Sequence, residues 1–274
     1  VKRFFLFIIV IAFCFSLPAF LKKWTCGFKV KKIQISTLAR EEWDVKSDIT
    51  HDELSHILSQ PFIYLDRGMQ SYVFVSLDGE YVIKFFRITS EEKIGRLFNA
   101  SVLAYTKAKE ETGLVFLHLN ETKNQFPKLR IRGPLGQRFK IPLDRYRFAI
   151  QKKAKKFRAS LLSAYQSSDA QEMKQRIDSF VGLLRSRIEK GIRNGDPSLS
   201  RNFAFLGNQA VEIDFGNYAE GVVSKEMEMM RYTQGLYFFL VDNAPEWADY
   251  LKTCLKDYEL KELQKQQDSK LQGK

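Results

Sequence analysis

Apolar residues are distributed along this chain in three different ways. The first is an unbroken run: Phe4 to Leu21 reads FFLFIIVIAFCFSLPAFL without a charge, with Lys2-Arg3 before it and Lys22-Lys23-Trp24 after it. The second, from about residue 61 to 153, consists of short β-branched and aromatic segments. Ser71–Val75 and Tyr81–Phe86 are the clearest, and Asp78-Gly79 between them predicts a hairpin turn, because glycine reaches the left-handed conformation that tight turns require. Further strands are expected at Leu114–Leu119, Lys128–Arg132 and Arg147–Gln151, with Gly133-Pro134-Leu135-Gly136 as a turn. One helix interrupts them: behind Ser90-Glu91-Glu92, the residues Ile94, Leu97, Phe98, Val102, Tyr105 and Ala108 recur at helical spacing until Thr112-Gly113. In the third region, past Lys155, the period is helical. Met173, Ile177, Val181, Leu184 and Ile188 form one stripe on a long helix, and short strands are expected at Phe203–Leu206 and Ala210–Ile213 around the turn Gly207-Asn208.

Strands with a single helix first and mostly helices afterwards is the order of an α+β protein. The expected organisation is a membrane or signal segment over 1–24, a connector over 25–60, a sheet lobe over 61–153, a helical lobe over 154–256 and a polar tail over 257–274. Within the connector, Asp48-Ile49-Thr50-His51-Asp52-Glu53-Leu54 reads as a capped helix start. At 274 residues and 45% hydrophobic composition the chain can bury a substantial core.

The run Phe4–Leu21 is about the length that crosses a bilayer as a helix, and Trp24 follows where an interfacial aromatic is common. A cleaved signal peptide is the competing reading, since Leu17-Pro18-Ala19 offers a small-residue cleavage site. Lys22, Lys23, Lys29, Lys31 and Lys32 outweigh Lys2 and Arg3, so an uncleaved anchor places the following domain on the cytoplasmic side. Cleavage would instead give a secreted protein. The three cysteines, Cys14, Cys26 and Cys254, lie far apart, and although His51 and His56 share one short segment no cysteine stands near the histidines to complete a site, which argues against a disulfide framework or a structural zinc.

A net charge of +12, from 44 Lys+Arg against 32 Asp+Glu, favours an anionic partner. The densest run is Lys152-Lys153-Ala154-Lys155-Lys156-Phe157-Arg158, with Arg130, Arg132, Arg138 and Lys140 upstream. It reads either as a solvated face or as a contact with an anionic bilayer. Nucleic acid is not the expected partner, because too few aromatics interleave the charges for a stacking platform.

The chemistry-bearing stretch is Asn194-Gly195-Asp196-Pro197-Ser198-Leu199-Ser200-Arg201-Asn202-Phe203, continuing to Val211-Glu212-Ile213-Asp214-Phe215-Gly216. Phosphoryl transfer needs a carboxylate to orient an attacking hydroxyl and oxygen ligands to hold Mg²⁺ against nucleotide phosphates. An Asp, a nearby Asn and a second Asp at the end of an apolar strand supply that set. These residues resemble the catalytic loop and DFG motif of the protein-kinase-like superfamily, and Asn194-Gly195-Asp196 is closer to the His-Gly-Asp of aminoglycoside and choline kinases than to His-Arg-Asp.

The resemblance implies a two-lobe fold binding ATP and Mg²⁺, with Asp196 as catalytic base and Asn202 and Asp214 as metal ligands. Upstream, Leu65-Asp66-Arg67-Gly68-Met69-Gln70-Ser71-Tyr72-Val73-Phe74 followed by Tyr81-Val82-Ile83-Lys84 resembles the phosphate-covering hairpin and its lysine. That implies Gly68 in the loop and Lys84 on the α/β-phosphates. Phe148–Gln151 resembles the strand entering the hinge, where backbone groups of Gln151 to Lys153 would meet adenine. Glu92 or Glu110 would be the partner of Lys84.

The sequence also departs from the pattern. Gly68 is the sole glycine of its loop, Asn202 lies one residue farther from Asp196 than usual, and no Ala-Pro-Glu follows Gly216. These departures carry an alternative reading, a pseudokinase-like membrane-attached scaffold without turnover. Mass spectrometry of the mature protein is expected to find Phe4–Leu21 retained; an N-terminus immediately after Ala19 would identify a leader and remove the anchor.

Overall fold

The computed structural model describes residues 24–87, 90–221 and 224–256; the apolar run Phe4–Leu21 and the expected polar tail lie outside the described residues. Among the described residues no helix is long and apolar enough to cross a membrane. The chain is a mixed α+β protein with two compact units. One comprises the described residues up to Phe98 together with Val115–Lys153, the other Asn99–Leu114 together with the described residues from Ala154 onward.

The first unit is built on a seven-stranded sheet. Its strands are β1 (Phe62–Arg67), β2 (Ser71–Ser76), β3 (Tyr81–Phe86), β4 (Leu114–His118), β5 (Lys128–Arg132), β6 (Arg138–Pro142) and β7 (Phe148–Lys152), in the order β4-β7-β3-β2-β1-β5-β6. Strands alternate their side chains between faces, and Phe62, Tyr72, Phe74, Ile83, Phe85, Phe148 and Ile150 fill one core on a single face. Each such side chain contributes about 1.5–3 kcal/mol on burial.

The β2–β3 connection follows the expectation. Gly79 N–H donates to Ser76 O, Gly79 takes φ +80°, and the Asp78 carboxylate accepts from Ser76 Oγ and Glu80 N–H. Two strands were not expected. β1 has its last three residues exposed and β6 has only Ile141 buried, so neither carries a clean alternation.

Residues ahead of the sheet contribute to this unit's core. Helix α1 (His51–Ser59) begins at Thr50, whose side chain accepts from Glu53 N–H while Glu53 reaches back to the Thr50 N–H, and it buries Ile57 and Leu58. Phe28 and Ile33 also pack into the core, with the Phe28 ring against Tyr64, Tyr72, Phe74 and Phe139. Helix α2 (Glu91–Lys107) stops earlier than its periodicity suggested. The backbone breaks at Ala108, and a single turn, α3 (Lys109–Thr112), is closed by Gly113 at φ +63°.

The second unit is mostly helical. Its main helices are α4 (Phe157–Gln166), α5 (Ala170–Glu189) and, farther on, α7 (Lys225–Asn243) and α8 (245–256). The strands are β8 (Lys155–Lys156), β9 (Ile192–Asn194), β10 (Phe203–Leu206), β11 (Gln209–Glu212) and β12 (Tyr218–Glu220), and a one-turn helix α6 (Leu199–Asn202) precedes β10. They form a three-stranded sheet β11-β10-β8 and a two-stranded ladder β12-β9. The α5 stripe Met173, Ile177, Val181, Leu184 and Ile188 is buried, and Phe157, Phe180, Phe203, Phe205, Leu236 and Leu240 complete the core. The basic run is therefore partly structural: Lys155 and Lys156 pair with Phe205 and Ala204, while the adjoining Phe157 ring stacks on Phe205.

His118 in the first unit is buried, with Nδ1 at 2.7 Å from Tyr146 O. Burial pushes its imidazole down to about 4. The folded chain then keeps His118 neutral down to about pH 4, whereas the unfolded chain takes up the proton near 6.5. Between these values the unfolded state binds more protons, so stability falls as pH drops through this window, by about 3 kcal/mol in all. Urea unfolding at stepped pH is expected to show this loss in the native chain and to lack it in His118→Gln; an identical slope in both would sink the assignment.

Candidate functional site

The chain leaves β9 through Gly195 and Asp196, turns through α6, runs out along β10 and back along β11, and returns as β12 beside β9. Pairing of Tyr218 with Asn194 and Glu220 with Ile192 closes this excursion. Asp196 and Asp214 thus follow two residues behind Asn194 and Glu212, and those two side chains touch: Asn194 Nδ2 donates to Glu212 Oε1 at 2.6 Å. The same Nδ2 donates to Asp214 O at 3.1 Å, and Asn194 Oδ1 accepts from Asp196 N–H at 3.0 Å. One buried amide therefore ties the backbone of Asp196 to that of Asp214.

Beneath it lies a polar centre that is shut off from solvent. Arg187 of α5 is 0% exposed and pairs with Glu212 of β11, also 0% exposed, through Nη1 at 3.0 and 2.9 Å from the two carboxylate oxygens. Arg187 Nη2 donates to Glu228 of α7 at 3.0 Å. Tyr218 Oη donates to Glu212 Oε2 at 2.7 Å, Tyr232 Oη donates to Asn194 O at 2.6 Å, and the Arg187 guanidinium lies 4.3 Å above the Tyr232 ring. Burial pushes the Glu212 carboxyl up, against the pull of Arg187 and the hydrogen bonds from Tyr218 and Asn194. Burial likewise opposes the Arg187 charge, but Glu212, Tyr218, Tyr232 and Glu228 outweigh it and hold its pKa above the arginine value.

Asn202 is buried at the end of α6, where its Nδ2 donates to Asp196 O at 2.8 Å and its carbonyl accepts from Ile213 N–H. The structure thus binds Asn202 directly to Asp196, and links Asp214 to Asp196 through Asn194. Asp196 Oδ1 accepts from Ser198 N–H, its Oδ2 lies 3.6 Å from Arg201 Nη2, and the exposed Asp214 uses Oδ1 to accept from Gly216 N–H. Among the described residues no group of three or more His, Cys, Asp or Glu side chains could hold a metal ion.

Apart from Glu110, the other expected residues belong to the first unit. Lys84 sits on the central strand β3, paired with Val73 and Ala149, on the sheet face opposite Ile83 and Phe85. Gly68 is exposed in the β1–β2 turn and donates its N–H to Ser71 O. Gln151 is buried and pairs with Val82, while the Lys153 N–H donates to Glu80 O at 2.8 Å. Glu92 is 82% exposed and pairs with Arg96, and Glu110 is exposed. The buried glutamate nearby is Glu111, which binds Lys190 and Ser186 within the second unit.

Arg187, Glu212, Glu228, Tyr218 and Tyr232 went unnoticed in the sequence, although two of them carried a signal. Arg187 interrupts the apolar stripe of α5 beside Ile188, and Glu212 interrupts Ala210-Val211-Glu212-Ile213; a charge at a core position demands a buried partner of opposite sign.

No protein-family model matches this chain, and no curated protein matches it. Among solved structures it is similar to the 2.2 Å crystal structure of WbdD, at 16% identity and a TM-score of 0.40, over 70% of this chain and 40% of that chain. The co-crystal structure of WbdD with the kinase inhibitor LY294002 matches at 15% identity and a TM-score of 0.39, over 70% and 41%. This chain spans about two fifths of the length of the WbdD chains it matches.

Removing one member of a buried ion pair leaves the other charge uncompensated, at a cost of about 3–5 kcal/mol. Arg187→Met is expected to lose that much in chemical denaturation; a loss below about 1 kcal/mol would show that the centre carries no such constraint.

Proposed function

We propose that this chain is a kinase-like protein that binds ATP with Mg²⁺, transfers phosphate to an acceptor hydroxyl, and is tethered to a membrane by Phe4–Leu21 with its folded part on the cytoplasmic side. The observation that carries this reading is that Asn194 bridges the backbones of Asp196 and Asp214 while Asn202 binds Asp196 directly. Asp196 would orient the acceptor hydroxyl and take its proton. Asp214 and the Asn202 amide oxygen are hard oxygen donors that suit Mg²⁺, which is ordinarily held by one or two carboxylates together with substrate phosphates rather than by an all-protein cage. When bound, the ion would neutralise charge on the transferring phosphate.

In the first unit, Lys84 would meet the α/β-phosphates, the Gly68 turn would cover them, and backbone groups from Gln151 to Lys153 would receive adenine.

Binding without turnover is a second reading, favoured by two contacts: the carboxylate oxygens of Asp196 have Ser198 N–H and Arg201 as neighbours. The two readings separate experimentally. The chain is expected to show Mg²⁺-dependent thermal stabilisation by ATP, lost in Asp214→Ala and weakened in Lys84→Met. Asp196→Asn should retain nucleotide binding and lose hydrolysis. A native chain that binds ATP but shows no hydrolysis above its Asp196→Asn variant is a scaffold; one that no nucleotide stabilises is neither.

A further inference from the structure

From the fixed position of the residues behind the tether, we infer that one end of the first unit's sheet is a docking face for an anionic lipid bilayer. The inference rests on the reading of Phe4–Leu21 as a membrane segment. Only Lys22 and Lys23 separate Leu21 from Trp24, so Trp24 lies within about 10 Å of the end of that segment. Beyond Trp24 the chain is fastened to the sheet. Arg67 Nη1 donates to Cys26 O at 2.7 Å, Tyr72 Oη donates to Gly27 O at 2.7 Å, and Lys32 Nζ donates to Gly27 O at 2.8 Å. Phe28 is buried in the core immediately after. A membrane segment so attached leaves no long flexible leash; it holds the Arg67–Tyr72 end of the sheet at the bilayer surface.

That end has the composition of an interfacial surface. Because β5 runs parallel to β1, with Phe62 beside Ile131 and Ile63 beside Arg132, the β5–β6 turn projects in the same direction as the β1–β2 turn. The two turns and the entering segment expose Trp24 (61%), Leu65 (48%), Met69 (85%) and Leu135 (45%). The exposed charges among them are Lys29, Lys31, Arg67, Arg132 and Arg138, against Asp66. Apolar tips among basic residues match the acyl boundary and the anionic headgroups respectively. At the opposite end of β2, Leu77 is also exposed, in a turn that carries Asp78 and Glu80 and lies beside Lys152 and Lys153, so exposure and basic charge alone do not distinguish the two ends and the tether does. Membrane contact at the first end would bring the Gly68 turn against lipid, so docking of that turn and its cover over nucleotide phosphates would exclude each other.

Depth-dependent quenching tests this. Met69→Trp and, as control, Leu77→Trp are made in a Trp24→Phe full-length chain and reconstituted into vesicles of phosphatidylcholine and phosphatidylserine at a ratio of about two to one. Brominated lipids are expected to quench the Met69→Trp signal severalfold more than the Leu77→Trp signal, and Lys29→Glu with Lys31→Glu should remove most of the difference. Equal quenching of both probes in a chain that floats with the vesicles overturns the docking face. Quenching unchanged in pure phosphatidylcholine overturns its assignment to anionic lipid, and a chain that does not float overturns the tether itself.

Discussion

A guanidinium in a protein core costs several kcal/mol unless its charge and donors are met, and in the second unit the position of Arg187 dictates what must surround it. It projects from α5, the long helix of that unit's core, so β11 must bring Glu212 to it and α7 must bring Glu228. Glu212 in turn fixes Tyr218 at the start of β12 and Asn194 at the end of β9. Five elements converge on this one cation. The two aspartates that matter to the proposed chemistry each follow a member of this cluster by two residues, too short a distance for either loop to wander.

Stability alone does not account for such a centre. A well-packed apolar set of similar volume is often as stable as a buried ion pair, or more so, whereas its polar counterpart has few arrangements that satisfy every partner. The two carboxylates outnumber Arg187, and the balance is carried by donors, namely the Tyr218 hydroxyl and the side-chain and main-chain N–H groups of Asn194. Geometry is what this composition specifies. It holds Asn194 so that one amide can bridge Asp196 and Asp214, a task for which an apolar residue has no atoms.

Elements with strong local signals were legible in the sequence: the Asp78-Gly79 hairpin, the Thr50 capping box and the α5 stripe are each decided by neighbours a few residues away. β1 and β6 were not, since their places depend on pairing with β2 and β5, and their exposed residues obscure the alternation. The break at Ala108 was hidden because Ala continues a helical stripe as readily as it ends one. At the site, Asp196, Asn202 and Asp214 were legible as a motif. The residues that hold them were not, because Arg187, Glu212 and Glu228 are separated in sequence and meet only when the second unit folds.

Rigid support and labile working groups are arranged in layers here. The innermost pair, Arg187 and Glu212, is 0% exposed, while Arg201, which approaches Asp196, is 72% exposed and sits on a one-turn helix. An ion pair at 3.6 Å between such an arginine and a partly exposed aspartate is worth about 0–1 kcal/mol. A phosphate group carries more charge than one carboxylate and accepts bidentate arginine well, so it would draw Arg201 away at small cost. The Arg201 contact that favours a scaffold in the resting chain is therefore the one a bound nucleotide could most easily rearrange. The Asn194 bridge beneath it, buried and held at both ends, would stay where it is.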